Sequence, residues 1–120
     1  MIKITASMVE KFSNLSGDLN PLHMDNEFAE SSLFKKRIVH GMLLASFFSQ
    51  LVGMKLPGKN ALYFSQTLNF RSPCYNDDEI EVVGEVTEKS DSTKIITVST
   101  SIFNKSKTCL IDGIAKIIVR

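Results

Sequence analysis

The sequence predicts an α+β domain in which an antiparallel sheet wraps around a long central helix, and three observations carry that prediction. Helical signals fall in the first half of the chain and strand signals in the second, which is segregation rather than βαβ alternation. The segment GMLLASFFSQLVG, residues 41–53, is apolar on nearly every side, and a helix of that kind is enclosed by protein rather than laid on a surface. A flat sheet would cover only one of its faces, so the sheet has to curl.

The elements follow in order. Thr5 is placed to cap a helix from about Ala6 to Leu15, with Met8, Val9, Phe12 and Leu15 at helical spacing. Gly17 suits the left-handed position just past its end. Glu27–Ser31 reads as a short helical turn, and Lys35, Lys36 and Arg37 as a solvated loop. Gly53 and the LPG at 56–58 close the apolar helix. From Ala61 onward the period changes. Leu62–Phe70, Glu79–Glu88, Lys94–Phe103 and Leu110–Val119 are rich in β-branched and aromatic residues, and NDDE, KSDS and NKSK lie between the later ones. Three pairs of neighbouring strands, all antiparallel, are expected.

Composition narrows the function classes. At 120 residues the chain is one domain spanning 1–120. With 43% apolar and 22% charged residues it is an ordinary globular sequence. A net charge of +1 argues against nucleic acid as a partner, since that binding needs many phosphate contacts. Cys74 and Cys109 have no zinc-type spacing, and no signal-peptide pattern opens the chain. A soluble protein in the reducing cytoplasm is the expectation. The longest apolar run, Gly41–Met54, is interrupted by Ser46, Ser49 and Gln50 and falls short of the ~20 residues a membrane span takes.

The chemistry concentrates in SGDLNPLHMD, residues 16–25. Gly17, Asn20 and Pro21 already supply a turn, so Asp18 and His23 are surplus to a connector. A carboxylate and an imidazole in one rigid turn can both bind a single water, orient it and accept its proton. Asn20 adds an amide able to hold either partner. The bland alternative is an Asx-turn at Asp18 with His23 packed in the core. A metal set of Asp18, Asn20, His23 and Asp25 is disfavoured, because the glycine and terminal glutamate of a calcium loop are missing. At the second segment, IVHGM, Gly41 opens the apolar helix, so its N–H is an unpaired donor at a positive helix end. An oxygen developing negative charge there would be stabilised; the alternative is a glycine that only permits close packing. His40 beside it is assigned a structural place. Ser46 and Ser49 either bond back to the preceding turn or present a hydroxyl to a substrate. No GxSxG elbow surrounds them.

The stretch FSNLSGDLNPLHMDNEFAESSLFKKRIVHGMLLASFFSQLVG resembles the R-specific enoyl-CoA hydratases of the MaoC-like group. Gly17–Asp25 meets the family pattern GDxNPxHxD, His40–Met42 meets HGM, and the likeness continues through LPGKNALYFSQTLNFRSP. The resemblance implies a hot-dog fold, a homodimer, and reversible syn hydration of trans-2-enoyl-CoA to the (R)-3-hydroxyacyl-CoA. It implies Asp18 and His23 as the catalytic pair, Asn20 as accessory, Gly41 N–H as the thioester oxyanion donor and Ser49 as a hydroxyl facing the substrate. Val52, three residues beyond Ser49 on the same helix, is then expected to line the acyl tunnel. The substrate is an acyl-CoA thioester, with coenzyme A as part of it, and no metal or redox cofactor is implied. Relatives often carry an extra short strand before the first helix, where this chain has only MIKIT, leaving one sheet edge in question. Alternatives are a dehydratase acting on acyl-carrier-protein thioesters, a hot-dog thioesterase and a non-catalytic acyl-CoA-binding subunit.

Overall fold

The computed structural model describes all 120 residues. Its N-terminal residues pair with the sheet: β1 (Ile2–Lys3) lies antiparallel to Ile80 and Glu79, and the Ile4 N–H continues the contact to Asp78 O. The edge strand that MIKIT left in question is therefore present in short form. Helix α1 (Ala6–Ser16) starts where the Thr5 hydroxyl accepts from Met8 N–H, and it stops at Gly17, whose φ of 80° is left-handed. Its apolar face differs from the one expected. Leu15 points outward at 86% exposure, while Ser13 is fully buried, because the Ser13 hydroxyl has a histidine partner in the interior.

Two short helices, α2 (Pro21–Met24) and α3 (Asn26–Glu30), follow. The Asn20 carboxamide oxygen caps α2 and Pro21 takes its first position. The Asp25 carboxylate caps α3, accepting from Glu27 and Phe28 N–H, which gives Asp25 a structural place in the turn. The central helix α4 (Gly41–Met54) packs against the sheet through Leu43, Leu44, Phe48 and Val52. Burying each of these side chains contributes about 1.5–3 kcal/mol. The helix is not enclosed all round: Met42, Ser46, Ser49 and Gly53, spaced four, three and four apart, form one stripe open to solvent.

The sheet contains β2 (Ala61–Gln66), β3 (Asn69–Phe70), β4 (Glu79–Ser90), β5 (Ile95–Asn104) and β6 (Cys109–Val119) in the order β1-β4-β5-β6-β2, with β3 also on β6. Every pairing is antiparallel. The expected pairing of the 62–70 strand with its successor does not occur. That run breaks into β2 and β3 and crosses over to β6. Along β5, Ile96, Val98, Thr100 and Ile102 alternate inward. An irregularity at Ile102/Phe103 lets Leu110 and Ile111 of β6 both be buried. The core has two clusters. One gathers Ile4, Val9, Leu44, Phe48, Ile80 and Ile111 at the N-terminal end of α4; the other holds Val52, Ile96, Val98, Ala115 and Ile117. No helix is long and apolar enough to cross a membrane.

Candidate active site

Gly17 turns the chain sharply out of α1, and Asp18 follows on the surface with its side chain 52% exposed. Its Oδ1 accepts from Asn20 N–H at 3.2 Å, while Asn20 Oδ1 accepts from Leu22 N–H at 2.9 Å. Asn20 thus links the carboxylate to the first turn of α2 through its main-chain N–H; its side-chain amide, expected to hold Asp18 or His23, touches neither and instead caps α2. One turn on, His23 is 12% exposed. Its Nδ1 lies 2.7 Å from Ile38 O. A carbonyl can only accept, so Nδ1 carries the proton and Nε2 of the neutral ring keeps a free lone pair. That Nε2 stands 3.9 Å from Asp18 Oδ2. The gap is too long for a direct hydrogen bond and suits one small molecule donating to both.

Behind the pair is a residue that sequence reasoning left aside. His40 is buried, and its ring stacks on His23 at 3.8 Å between centroids and 25° between planes, with Phe12 edge-on to it. His40 Nε2 lies 3.0 Å from Ser13 Oγ and 3.1 Å from Asp18 O, so Nε2–H donates to this pair of acceptors and Nδ1 is left bare and unpartnered. The ring backs the His23 imidazole and at the same time holds the main chain of Asp18. The sequence signals were the placement of His40 beside Gly41 and its place at the head of the HGM pattern. Burial pulls the His40 pKa below its ordinary value, reinforced by the nearby His23 and opposed by the bond to Asp18 O. Folding therefore favours neutral His40: its contribution to stability is whole above the ordinary imidazole range and is lost as pH falls through it. The unfolding midpoint should drop between pH 7 and pH 5, and His40→Phe should flatten that drop. Parallel pH profiles for the two proteins in a thermal melt would contradict the assignment.

Asp18, His23 and His40 bring ligand-type atoms within 4.8 Å of one another. The geometry of the two rings is a poor one for a shared ion. The two imidazoles are stacked, so their in-plane lone pairs run side by side and cannot converge on one ion.

Gly41, next to His40, begins α4, and its N–H has no acceptor within the protein. It opens into a cavity of about 310 Å³ walled by Phe34, Ile38, Leu44, Phe70 and Cys74. A Cβ at position 41 would come within 2.6 Å of the Phe70 ring, so glycine is what lets the aromatic wall approach the donor. Asp18 and His23 do not line this cavity; the His40–Gly41 peptide joins the two halves. Cys74 is no nucleophile: burial, aided by Asp78, pushes its thiol up to about 12. Ser49 and Val52 lie farther along α4, roughly 12 and 16 Å from Gly41 at 1.5 Å per residue. They also part company. Ser49 is on the solvent-facing stripe, while Val52 is buried against β5 and β6. Ser46, by contrast, bonds back to Leu43 O as anticipated.

The model of the MaoC like domain matches residues 1–107. The chain belongs to the MaoC-like domain family. Over 108 residues, 90% of this MaoC-like chain and 81% of the relative, it is 44% identical to an (R)-specific enoyl-CoA hydratase of Aeromonas caviae. It is 40% identical to a mitochondrial 3-hydroxyacyl-[acyl-carrier-protein] dehydratase of Arabidopsis thaliana, across 92% of this chain and 68% of that one. A solved (R)-hydratase from A. caviae involved in PHA biosynthesis superimposes with a TM-score of 0.96 at 40% identity, covering 99% of this chain and 90% of the other. The MaoC-like chain thus has the hot-dog fold, its curled antiparallel sheet laid over α4.

Proposed function

We propose that the chain is an (R)-specific enoyl-CoA hydratase, adding water to trans-2-enoyl-CoA in the syn sense and reversibly. The observation that carries this reading is the pair of acceptors, Asp18 Oδ2 and His23 Nε2, 3.9 Å apart with the other imidazole nitrogen committed to Ile38 O. A water between them donates one hydrogen to each, which turns its lone pairs outward toward C3 of the enoyl group. Asp18 removes the proton as the oxygen attacks, while His23 orients the water. Charge then moves to the thioester oxygen, where Gly41 N–H and the start of α4 stabilise it. The protonated carboxyl returns its proton to C2 on the same face, which makes the addition syn. Asn20 keeps Asp18 in register with α2. The reading requires no metal or redox cofactor, and coenzyme A enters as part of the substrate. A cytoplasmic location is part of the same proposal.

Loss of the conjugated absorbance of crotonyl-CoA without release of free CoA tests the reaction; release of CoA would instead mark a thioesterase. A dehydratase acting on carrier-protein thioesters is the second reading, favoured by the similarity to the Arabidopsis thaliana protein. It uses the same residues, and the same assay with crotonyl-carrier protein separates the two.

We also infer a homodimer. Strand β2 is an end strand, paired only with β6, and it exposes Leu62, Tyr63 and Phe64, with Phe70 of β3 and Met42 of α4 also exposed. A free apolar edge of this kind invites pairing across a two-fold axis. The partner would also cover the exposed Ser49 stripe of α4. Light scattering should give a particle of two 13.4 kDa chains; a fully active monomer would refute the inference.

For the acyl tail we propose a path from the Gly41 cavity between α4 and the sheet, closed at its far end by the packed side chain of Val52. Val52→Ala should extend the range of accepted chains, each added methylene gaining up to ~0.8 kcal/mol, at a cost of about 1–3 kcal/mol in stability. The comparison is kcat/KM over four- to ten-carbon 2-enoyl-CoAs. Superimposable profiles would remove Val52 from the tunnel.

A further inference from the structure

Across the wall from the Gly41 cavity lies a second concavity, of about 280 Å³ and very different character. The two are built from opposite sides of the same backbone segments. Residues 34–38 and 73–76 meet at the Ile38–Tyr75 bridge and at the bond from Val39 N–H to Cys74 O. Phe34, Ile38 and Cys74 face the apolar cavity; Lys35, Lys36, Arg37, Tyr75 and Asn76 face the polar one.

Lys35 and Lys36 are exposed and Arg37 half-buried, so three consecutive cations add their fields on one concave wall. Nothing in the chain answers them fully. Glu30 is the only acid on the wall, and none of the three ion pairs in the structure uses Lys35, Lys36 or Arg37. The cations are nevertheless held in place. Lys35 sits in a left-handed turn with φ of 67°, the Lys36 ammonium rests 4.5 Å above the Tyr75 ring, and one arm of Arg37 donates to Met24 O. Elsewhere a cation in a comparable position is neutralised: Arg71, on the rim of the apolar cavity, is paired with Asp112.

We propose that this pocket binds the phosphates at the nucleotide end of coenzyme A. The inference rests on the hydratase reading for its geometry: with the thioester oxygen at Gly41 N–H, the pantetheine arm leaves along the apolar cavity and crosses the 38–75 bridge. The phosphates then meet Lys35 and Lys36, with the free arm of Arg37 beside them. The pocket makes the nucleotide, rather than a carrier protein, the handle by which the substrate is held.

The test uses the double variant Lys35→Glu/Lys36→Glu, which leaves Arg37 and its bond to α2 intact. Binding of adenosine 3′,5′-bisphosphate is measured by calorimetry, and kinetics are measured with crotonyl-CoA, crotonyl-pantetheine and crotonyl-carrier protein. The expected result is at least about tenfold weaker binding of the bisphosphate, a matching rise in KM for crotonyl-CoA with kcat unchanged, and no change for crotonyl-pantetheine. Equal bisphosphate binding by wild type and variant overturns the proposal, as does a KM rise shared by crotonyl-pantetheine. A rise confined to the carrier-protein thioester overturns it in favour of a protein partner. If the wild type hydrates none of the three thioesters, the hydratase reading fails, and the bisphosphate titration still decides the pocket.

Discussion

Asp18→Asn is expected to lower kcat for hydration of crotonyl-CoA by about 10²–10⁴-fold while the protein still folds, and His23→Ala should do the same. The two losses have different origins. Asparagine keeps the size of the side chain and an oxygen to accept from Asn20 N–H, so the loop geometry survives and only the ability to take a proton is lost. Alanine at 23 deletes the Nε2 acceptor and also the ring that lies against His40 and ties to Ile38 O, so a modest loss of stability accompanies it. Because the residues act on one water, their effects should be far from additive: the double variant should be little slower than the worse single one. Near-normal turnover by purified Asp18→Asn would end the proposed mechanism.

Gly113→Ala should be the most damaging substitution for the fold. Gly113 lies in β6 opposite Thr100, beneath the point where the chain passes from β2 to β3. A Cβ there would overlap Thr67 O and come within 2.7 Å of the Thr67 carbonyl carbon. These are backbone atoms, so no rotamer change relieves the clash. Thr67 is pinned as well, since its N–H donates to Ile114 O and its hydroxyl accepts from Ile114 N–H. Thr100 Oγ1 donates to Gly113 O and accepts from Gln66 Nε2, closing a small network on the same spot. A loss of about 3–5 kcal/mol, at the upper end for single changes, is expected in a denaturant titration. A shift below about 1 kcal/mol would mean that the β2–β3 crossing is not seated on Gly113.

Much of this architecture could be read from residue types. The Thr5 and Gly17 caps, the extent of α4 and the β4–β6 strands follow from capping chemistry and period, which act locally. What escaped depends on distant partners. Leu15 was expected inside and Ser13 drew no attention, because α1 alone does not reveal that a buried histidine 27 residues on has a hydroxyl partner. The 62–70 run reads as one strand, since nothing local shows that Thr67 must step over Gly113. The pairing of β2 with β6 is likewise a matter of tertiary closure. Within the site, the family motif named Asp18, His23, Asn20 and Gly41, and the structure places the first three in one loop with Gly41 joined to them through His40. His40 itself was passed over because a histidine beside an apolar run is usually only packed. Ser49 and Val52 were placed on one side of α4 by their spacing of three. The sheet covers Val52 and stops short of Ser49, and coverage is not a property of spacing.

The order of strands in the sheet also bears on how the molecule assembles in time. Strands β4, β5 and β6 are sequential neighbours joined by the short turns 91–94 and 105–108. They can zip together with little loop-closure entropy, whereas β1 and β2 must be recruited from the other half of the chain. The 79–119 meander is therefore the natural nucleus, and the segments that carry Asp18, His23 and Gly41 dock onto it afterwards. A part that docks last is also the first to open under native conditions. The segment that carries Asp18 and His23 is held to the body chiefly through His40, Ser13 and Ile38. Mild stress should consequently silence the enzyme reversibly, by releasing that loop, well before the meander loses its protection and exposes β5 and β6 to aggregation.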